Sequence, residues 1–252
     1  MKIGAQFFTI REFCKTTDDF AESLKKVADI GYKTVQISGT CPYEGPWLKE
    51  QLDKTGLACV ITHNPLSELV GTPVTLARKH DTFGCKYIGL GSFQLYAEEG
   101  NPDQTIEAFQ RIYGPVAKIL KENGKYFMYH NHSREFMKVN GRHIMDMLAE
   151  AIPADEMGFT LDTYWAQFAG ADPAAWIEKF SGRVPCIHLK DITFDQKMAP
   201  VGEGNINFDR VFEKAEAAGT EYMLVEQDRC YDENPFDCLK RSYDYLTACG
   251  FE

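Results

Sequence analysis

The chain alternates between short apolar runs and longer segments whose apolar residues recur at helical spacing. Eight short runs are nearly continuous in apolar residues, which is typical of parallel strands covered on both faces. They comprise residues 3–8, 34–37, 57–62, 87–90, 126–129, 158–161, 184–189 and 222–226. Between them lie helical patterns; Phe109, Tyr113 and Val116, for example, share one helix face. The pattern predicts eight strand–helix units.

The residues between these units, and their number, predict how the units assemble. Gly31, Gly56 and Gly124 each follow a helical pattern and precede a strand, as glycines that end helices do. Eight units in 252 residues without a Pro/Gly/Ser-rich linker predict an α/β fold, a single (β/α)8 TIM barrel over residues 1–252. A doubly wound open sheet is the alternative. In a barrel, functional residues gather at the carboxyl ends of the strands.

Histidines and carboxylates stand at those predicted strand ends. Four of the six histidines do so, and they are His63, His130, His132 and His188. Imidazole and carboxylate groups that converge in a cavity are typical ligands of a divalent metal ion. Asp162, His188 and Glu226 follow successive strands and are predicted to point at one ion. Strand five supplies a further ligand, either His130 at its tip or Glu135 from the loop.

Each of these residues also has a structural explanation when it is considered alone. Asp162 is suited to cap the next helix, His188 to be a hydrogen-bonded core residue, and Glu226 to form a salt bridge at the rim. Their joint occurrence at consecutive strand ends favours the metal cluster. The remaining histidines, His80 and His143, lie in helical stretches and are predicted at the surface.

Charge and cysteine usage exclude several classes of protein. With 27 basic and 37 acidic residues, the net charge of −10 argues against a nucleic-acid-binding protein. The sequence contains no run of about 18 apolar residues, so it predicts no membrane span. The eight cysteines are scattered without a Cys-x-x-Cys pair, which indicates free thiols in a reducing compartment and predicts a cytoplasmic location.

Six blocks of sequence, in order, resemble a known family. They are GAQFFTIRE (4–12), YHNHSREF (129–136), LDTYW (161–165), IHLKD (187–191), VGEG (201–204) and VE (225–226). Together they resemble the sugar phosphate isomerase/epimerases of the xylose isomerase-like TIM-barrel superfamily, which also includes inosose dehydratases and endonuclease IV. The resemblance covers essentially the whole chain.

The resemblance implies one divalent ion (Mn, Zn, Co or Mg) with Asp162, His188 and Glu226 among its ligands. The sequence departs from the family in two places. Relatives often have Glu-Asn-His on strand five where this chain has His130-Asn131-His132, so the choice between His130 and Glu135 stays open. Epimerases often have histidine at the position of Trp165, which weakens the case for a plain ketose epimerase.

The predicted function is a metal-dependent isomerase or epimerase that acts on a sugar or keto-sugar through an enediolate. The alternative is a lyase, a dehydratase or hydratase of a keto-sugar or keto-cyclitol, similar to inosose dehydratase. A metal-dependent nuclease or a non-catalytic sugar-binding barrel is a third class, and the acidic charge disfavours the nuclease. The partner is a small sugar rather than nucleic acid or a membrane, and a homo-oligomer is left open.

Individual roles follow from this prediction. Glu135 or His132 is the expected base, Lys190 stabilises the enediolate oxygen, and His63 binds substrate or transfers a second proton. The predicted substrate-binding residues are Gln6, Gln36, Trp165 and Glu203.

Overall fold

Eight parallel strands form a closed barrel in the computed structural model, which describes residues 1–93 and 102–252. The strands are β1 (Lys2–Gln6), β2 (Thr34–Ile37), β3 (Ala58–His63), β4 (Tyr87–Leu90), β5 (Tyr126–His130), β6 (Met157–Asp162), β7 (Cys186–Leu189) and β8 (Tyr222–Val225). They follow one another around the barrel in chain order, and β8 closes it against β1, with Ala5 opposite Val225. The barrel prediction is confirmed and the open sheet is excluded.

Helices surround the barrel. They are α1 (Thr17–Ile30), α2 (Gly45–Thr55), α3 (Leu66–Gly71), α4 (Pro73–Thr82), α5 (Pro102–Glu122), α6 (Ile144–Ala151), α7 (Thr163–Phe168), α8 (Pro173–Lys179), α9 (Phe208–Ala217) and α10 (Pro235–Ala248). The predicted apolar face of α5 is buried, as Phe109, Tyr113 and Val116 show. Two small hairpins interrupt the βα connections: Lys138–Val139 pairs with Arg142–His143, and Asp191–Ile192 with Met198–Ala199. Most of the polar site described below lies at the carboxyl ends of the strands, where these connections begin.

The amino-terminal end of the barrel is filled with apolar side chains. Tyr87 and Tyr222 are the first residues of β4 and β8, on opposite sides of the barrel, yet their ring centroids are only 6.4 Å apart. Met128, Cys186 and Leu224 pack with them. This layer closes one end of the barrel, so that a ligand can enter only from the carboxyl ends of the strands.

The first strand ends two residues before the end of the apolar run 3–8. It ends at Gln6, whose side-chain Oε1 accepts a hydrogen bond from Phe8 N at 2.6 Å and starts a 3-10 segment at Phe7–Phe13. Arg11 in this segment donates two hydrogen bonds of 3.1 Å to the carbonyl of Asp228. The early turn therefore brings the chain after β1 against the loop after β8.

The prediction that His80 lies at the surface is wrong. The side chain is fully buried between α4 and β3, with Nδ1 2.7 Å from the Leu76 carbonyl and Nε2 2.7 Å from Thr62 Oγ1. Since a carbonyl only accepts, Nδ1 carries the proton and Nε2 accepts from the threonine hydroxyl. His80 shares the buried face of Leu76 and Ala77, one helical turn away. His143 is half-buried directly before α6.

Burial of His80 makes stability depend on pH. It lowers the pKa of His80 from 6.5 to about 4, so the unfolded chain binds more protons than the folded one between these values. The contribution of neutral His80 to the free energy of unfolding is complete above pH 6.5 and is lost as pH falls towards 4. We expect the free energy of unfolding to fall by about 2 kcal/mol more in the wild type than in His80→Gln between pH 7.5 and 5. Urea unfolding at both pH values measures this; parallel losses in the two proteins would contradict it.

All eight cysteines are free thiols, and five of them are buried. Burial raises the pKa of the Cys14 thiol to about 12, so it carries almost no thiolate at neutral pH. Among the described residues, none of the helices combines the length and the apolar character that crossing a bilayer requires.

Candidate metal centre and active site

Four buried side chains converge at the carboxyl ends of β5 to β8. They are His130, Asp162, His188 and Glu226. One nitrogen or oxygen atom from each lies within 4.8 Å of those of the other three. Each residue comes from, or directly follows, a different strand, and these strands are consecutive around the barrel. The closed sheet therefore assembles the group, which we call the four-residue cluster.

His130 presents a lone pair to the cluster. Its Nδ1 lies 2.8 Å from the carbonyl of Gly91, which follows β4. Because that carbonyl can only accept, Nδ1 of the neutral ring carries the proton and Nε2 does not. Nε2 faces Asp162 Oδ2 at 3.1 Å, so two atoms with lone pairs face each other.

His188 is oriented in the same way by Gln36. The amide Oε1 of Gln36 accepts a hydrogen bond of 2.7 Å from His188 Nε2, and Nδ1 faces the cluster. Nδ1 lies 2.8 Å from Glu226 Oε2 and 3.7 Å from Asp162 Oδ2. Burial by itself lowers the pKa of His188, but the charges and hydrogen bonds of Glu226 and Asp162 together outweigh it and raise the pKa. The surroundings therefore favour a cation at Nδ1.

Each carboxylate of the cluster is anchored through one oxygen. Asp162 Oδ1 accepts a hydrogen bond of 2.9 Å from Trp165 N and caps α7, which leaves Oδ2 for the cluster. Glu226 Oε1 accepts from Gln6 Nε2 at 2.8 Å, which leaves Oε2. The predicted cap role and the predicted cluster role of Asp162 therefore coexist, because they use different oxygens.

The cluster can hold a metal ion. His188 Nδ1 is buried without a hydrogen-bond partner, 2.8 Å from Glu226 Oε2, which pairs with the Lys190 ammonium at 2.9 Å. Buried polar atoms without partners are costly and are rare in folded proteins. Two imidazole nitrogens and two carboxylate oxygens form a donor set typical of divalent transition metals. The backbone and side-chain groups that hydrogen-bond to the far atoms of these four residues match the outer hydrogen bonds of protein metal sites.

Lys190 places a positive charge beside the cluster. Its ammonium lies 3.1 Å from Asp162 Oδ2, 2.9 Å from Glu226 Oε2 and 2.8 Å from Asp228 Oδ1. Burial by itself raises the pKa of Asp162 and Glu226, but the Lys190 charge, together with the imidazoles of His130 and His188, holds both well below the usual range. Burial would lower the pKa of Lys190, yet the carboxylates raise it. All three groups are therefore ionised at neutral pH.

A central cavity of about 630 Å³ opens onto the cluster. Its polar walls include Gln6, His63, His130, His132, Lys190 and Glu226. This volume suits a small-molecule ligand. The cavity thus brings together both predicted proton-transfer histidines, the predicted cation and two members of the cluster.

His63 and His132 are neutral imidazoles beside this cavity. Burial and then the nearby His130 lower the pKa of both, to about 3 for His132. Their rings lie 5.3 and 4.7 Å from the ring of His130. His63 Nε2 is buried without a hydrogen-bond partner. A Cβ on Gly89 would lie 2.9 Å from His63 Cδ2 and 2.8 Å from the Thr62 carbonyl, so glycine makes room for this ring.

Four other predicted site residues lie away from the central cavity, and the first of them, Gln36, is fully buried behind His188. Glu135 is buried behind the central cavity, where Oε1 accepts from the Tyr129 hydroxyl at 2.7 Å and Oε2 from His132 N at 3.0 Å. Glu203 lies on the outer surface and forms an ion pair of 2.7 Å with Arg241. Trp165 packs against His132 and lines a neighbouring cavity of about 480 Å³. Of the strand-five candidates, the structure brings His130 and not Glu135 into the cluster.

Asp228 belongs to the site although it was not among the predicted residues. Its carboxylate lines the central cavity and contacts Lys190. Burial, and then the charge of Glu226, raise the pKa of Asp228 to about 6. The signal was present in the sequence, since residues two apart near a strand end tend to face the same way.

Comparisons with known proteins are consistent with this geometry. A profile of the family described as xylose isomerase-like TIM barrel matches residues 24–249. The inosose dehydratase of Lacticaseibacillus casei is 22% identical, over 91% of this chain and 89% of its own. That of Geobacillus thermodenitrificans (strain NG80-2) is 28% identical, over 92% and 90%. A solved sugar phosphate isomerase/epimerase from Parabacteroides distasonis ATCC 8503 has a TM-score of 0.84 at 22% identity, over 98% of this chain and 93% of that one.

Proposed function

The chain belongs to the xylose isomerase-like TIM-barrel family, and from this premise we propose that it is a divalent-metal-dependent isomerase or epimerase. Its substrate is a sugar or keto-sugar, and the reaction passes through an enediolate. The observation that carries the proposal is the orientation of two histidines. Gly91 and Gln36 hold the far nitrogens of His130 and His188, so that both lone pairs point at two carboxylates.

A divalent ion held by the four-residue cluster would act as a Lewis acid towards a sugar carbonyl and so acidify the adjacent C–H. The residues of the chain then supply the proton transfer. His132 lines the cavity as a neutral imidazole and accepts the proton. Lys190 is charged and stabilises the enediolate oxygen. His132 then returns the proton that it accepted, and His63, a neutral imidazole with an unpartnered Nε2, binds a hydroxyl.

Glu135 acts on this step through His132. Its Oε2 accepts the backbone N–H of His132, and its Oε1 is held by Tyr129. These bonds fix the start of the loop after β5, so we assign Glu135 a positioning role. The base is then His132, the other candidate that the sequence offered.

An uncharged substrate fits the cavity better than a phosphorylated one. Lys190 is the only Lys or Arg among the described residues that line the central cavity. It already contacts three carboxylates. A phosphate would therefore lack the unpaired cation that usually recognises it.

Dehydration of a keto-sugar or keto-cyclitol is the second candidate. It shares the first step, because loss of a β-hydroxyl also begins with removal of a proton beside a carbonyl. The curated relatives reported above support it, since both are inosose dehydratases. A dehydratase needs an acid for the leaving hydroxyl, and His132 can act as that acid once it has accepted the proton from the substrate.

Solvent exchange tests the shared step. We expect the manganese-loaded protein in D₂O to exchange the hydrogen beside the carbonyl of at least one substrate from a panel of keto-sugars and inososes. His132→Asn should slow this exchange by about 10²-fold, whereas His143→Asn, the same change at a half-buried histidine outside the site, should not. NMR follows the exchange, and mass spectrometry distinguishes an isomer of unchanged mass from a dehydrated product. Turnover of a substrate without any exchange would rule out the enediolate.

A further inference from the structure

A second cavity adjoins the central one on the same end of the barrel. It has a volume of about 700 Å³ and lies between the loop after β2 and the loop after β3. Both cavities share the wall formed by Ser38, His63, Asn64 and Pro65. The combined space is larger than one sugar ring needs, and no described residue of the four-residue cluster lines the second cavity.

Two aromatic rings that are held in place line this second cavity. Trp47 and Tyr43 both pack against the buried ring of Phe20, at centroid distances of 5.3 and 5.9 Å. The Lys79 ammonium lies 4.3 Å from the centroid of the Tyr43 ring. Aromatic rings with fixed rotamers offer flat apolar faces at little entropic cost, and the C–H face of a sugar ring can pack on them.

The polar groups of the second cavity suit hydroxyls rather than a charged group. Glu44, Glu68 and Lys79 line it, and within residues 1–93 and 102–252 none of them forms an ion pair with another side chain. Charged groups that keep free hydrogen-bonding capacity bind hydroxyls through charge-assisted hydrogen bonds. Carboxylates beside the cavity also disfavour an anionic ligand.

We infer that the substrate carries a second, unreactive ring, and that this cavity binds it. The substrate class is then a glycoside or other two-ring derivative of a keto-sugar or keto-cyclitol. The reacting ring lies at the four-residue cluster, and the second, uncharged and hydroxylated ring lies between Trp47 and Glu68. His63 stands at the junction with an unpartnered Nε2, which in its protonated tautomer donates a hydrogen bond to the bridging oxygen. This inference rests on the proposed function for the identity of the reacting ring.

The cavity of about 480 Å³ that Trp165 lines, across the carboxyl-terminal end of the barrel from the second cavity, is less suited to a second ring. The rings of Tyr164 and Phe168 stack on each other with centroids 5.7 Å apart, and Trp165 packs edge-on against both. These aromatic faces already contact one another. Phe168, which is 40% exposed, therefore provides a matched control for Trp47.

Binding without turnover tests the inference directly. Saturation-transfer NMR is measured with myo-inositol and glucose as one-ring probes, and with cellobiose, maltose and trehalose as two-ring probes. We expect the wild type to saturate both rings of at least one disaccharide. Trp47→Ala and the milder Glu68→Gln should reduce the signal of one ring at least fivefold and leave the other ring and the one-ring probes unchanged. Phe168→Ala should leave all signals unchanged.

The outcomes separate this inference from the proposed function. If one-ring probes bind and no disaccharide does, or if Trp47→Ala and Glu68→Gln weaken all probes equally, the second-ring site is wrong and the proposed function stands. If no probe of either class binds, both are wrong. Circular dichroism of each variant shows that a lost signal does not come from unfolding, and Glu68→Gln serves alone if Trp47→Ala does not fold.

Discussion

Asp162→Asn is expected to reduce turnover by about 10³-fold or more and to weaken binding of a divalent metal by more than about 100-fold. Asparagine keeps the size of the side chain and the Oδ1 atom that caps α7. It replaces Oδ2 with an amide nitrogen, which would donate to Nε2 of His130 and occupy that lone pair. The variant therefore loses one ligand, blocks a second and keeps the fold.

The measurement combines calorimetric titration with Mn²⁺ or Zn²⁺ and turnover of whichever keto-sugar the exchange screen identifies. Asp172→Asn is the matched control, because Asp172 also caps a helix, at Ala174 N and Ala175 N, but lies on the surface. It should bind metal and turn over substrate as the wild type does. Equal metal affinity in Asp162→Asn and the wild type would show that the metal is not held by this cluster.

Lys190→Met is expected to destabilise the protein by about 3–5 kcal/mol. The Lys190 ammonium is almost fully buried and contacts three carboxylates, so its removal leaves three negative charges together. For a chain of this size the melting temperature should fall by on the order of 10 °C. Turnover should also fall by about 10²–10³-fold, since the enediolate oxygen loses its cation.

Added metal should reverse part of this loss of stability. A divalent ion restores positive charge among the carboxylates, so Mn²⁺ should raise the melting temperature of Lys190→Met more than that of the wild type. Calorimetric melts with and without Mn²⁺ and EDTA measure the difference. Lys240→Met, which removes an exposed pair with Asp244, should leave the melt nearly unchanged. If the two variants melt alike, Lys190 does not neutralise the site.

The residues nearest the strands were the most predictable from sequence. The apolar runs placed the barrel strands to within a few residues, and parallel strands in chain order bring their carboxyl ends to one rim. Asp162, His188 and Glu226 were therefore grouped correctly at one end of the barrel, as the geometry of the cluster shows. Regular periodicity and the closure of the sheet are enough for this step.

Residues on loops were less predictable, because distant partners decide where they point. Glu135 turns towards Tyr129, and Glu203 towards Arg241, which is 38 positions away in the sequence. The sequence offers no periodicity for such contacts. His80 is different, since its spacing from Leu76 and Ala77 already indicated the buried face of α4. The surface prediction for His80 followed from the polarity of its side chain and not from this spacing, which would have placed it in the core.

The four predicted ligands all come from the second half of the barrel, but the groups that orient them come from the first half. Gln6 on β1, Gln36 on β2 and the Gly91 carbonyl after β4 fix Glu226, His188 and His130. A half-barrel of β5 to β8 would contain every ligand and yet leave both imidazoles free to rotate and change tautomer. If the cluster holds a metal ion, tight binding requires the closed ring, and by linkage the bound ion would strengthen the contacts between the two halves of the barrel.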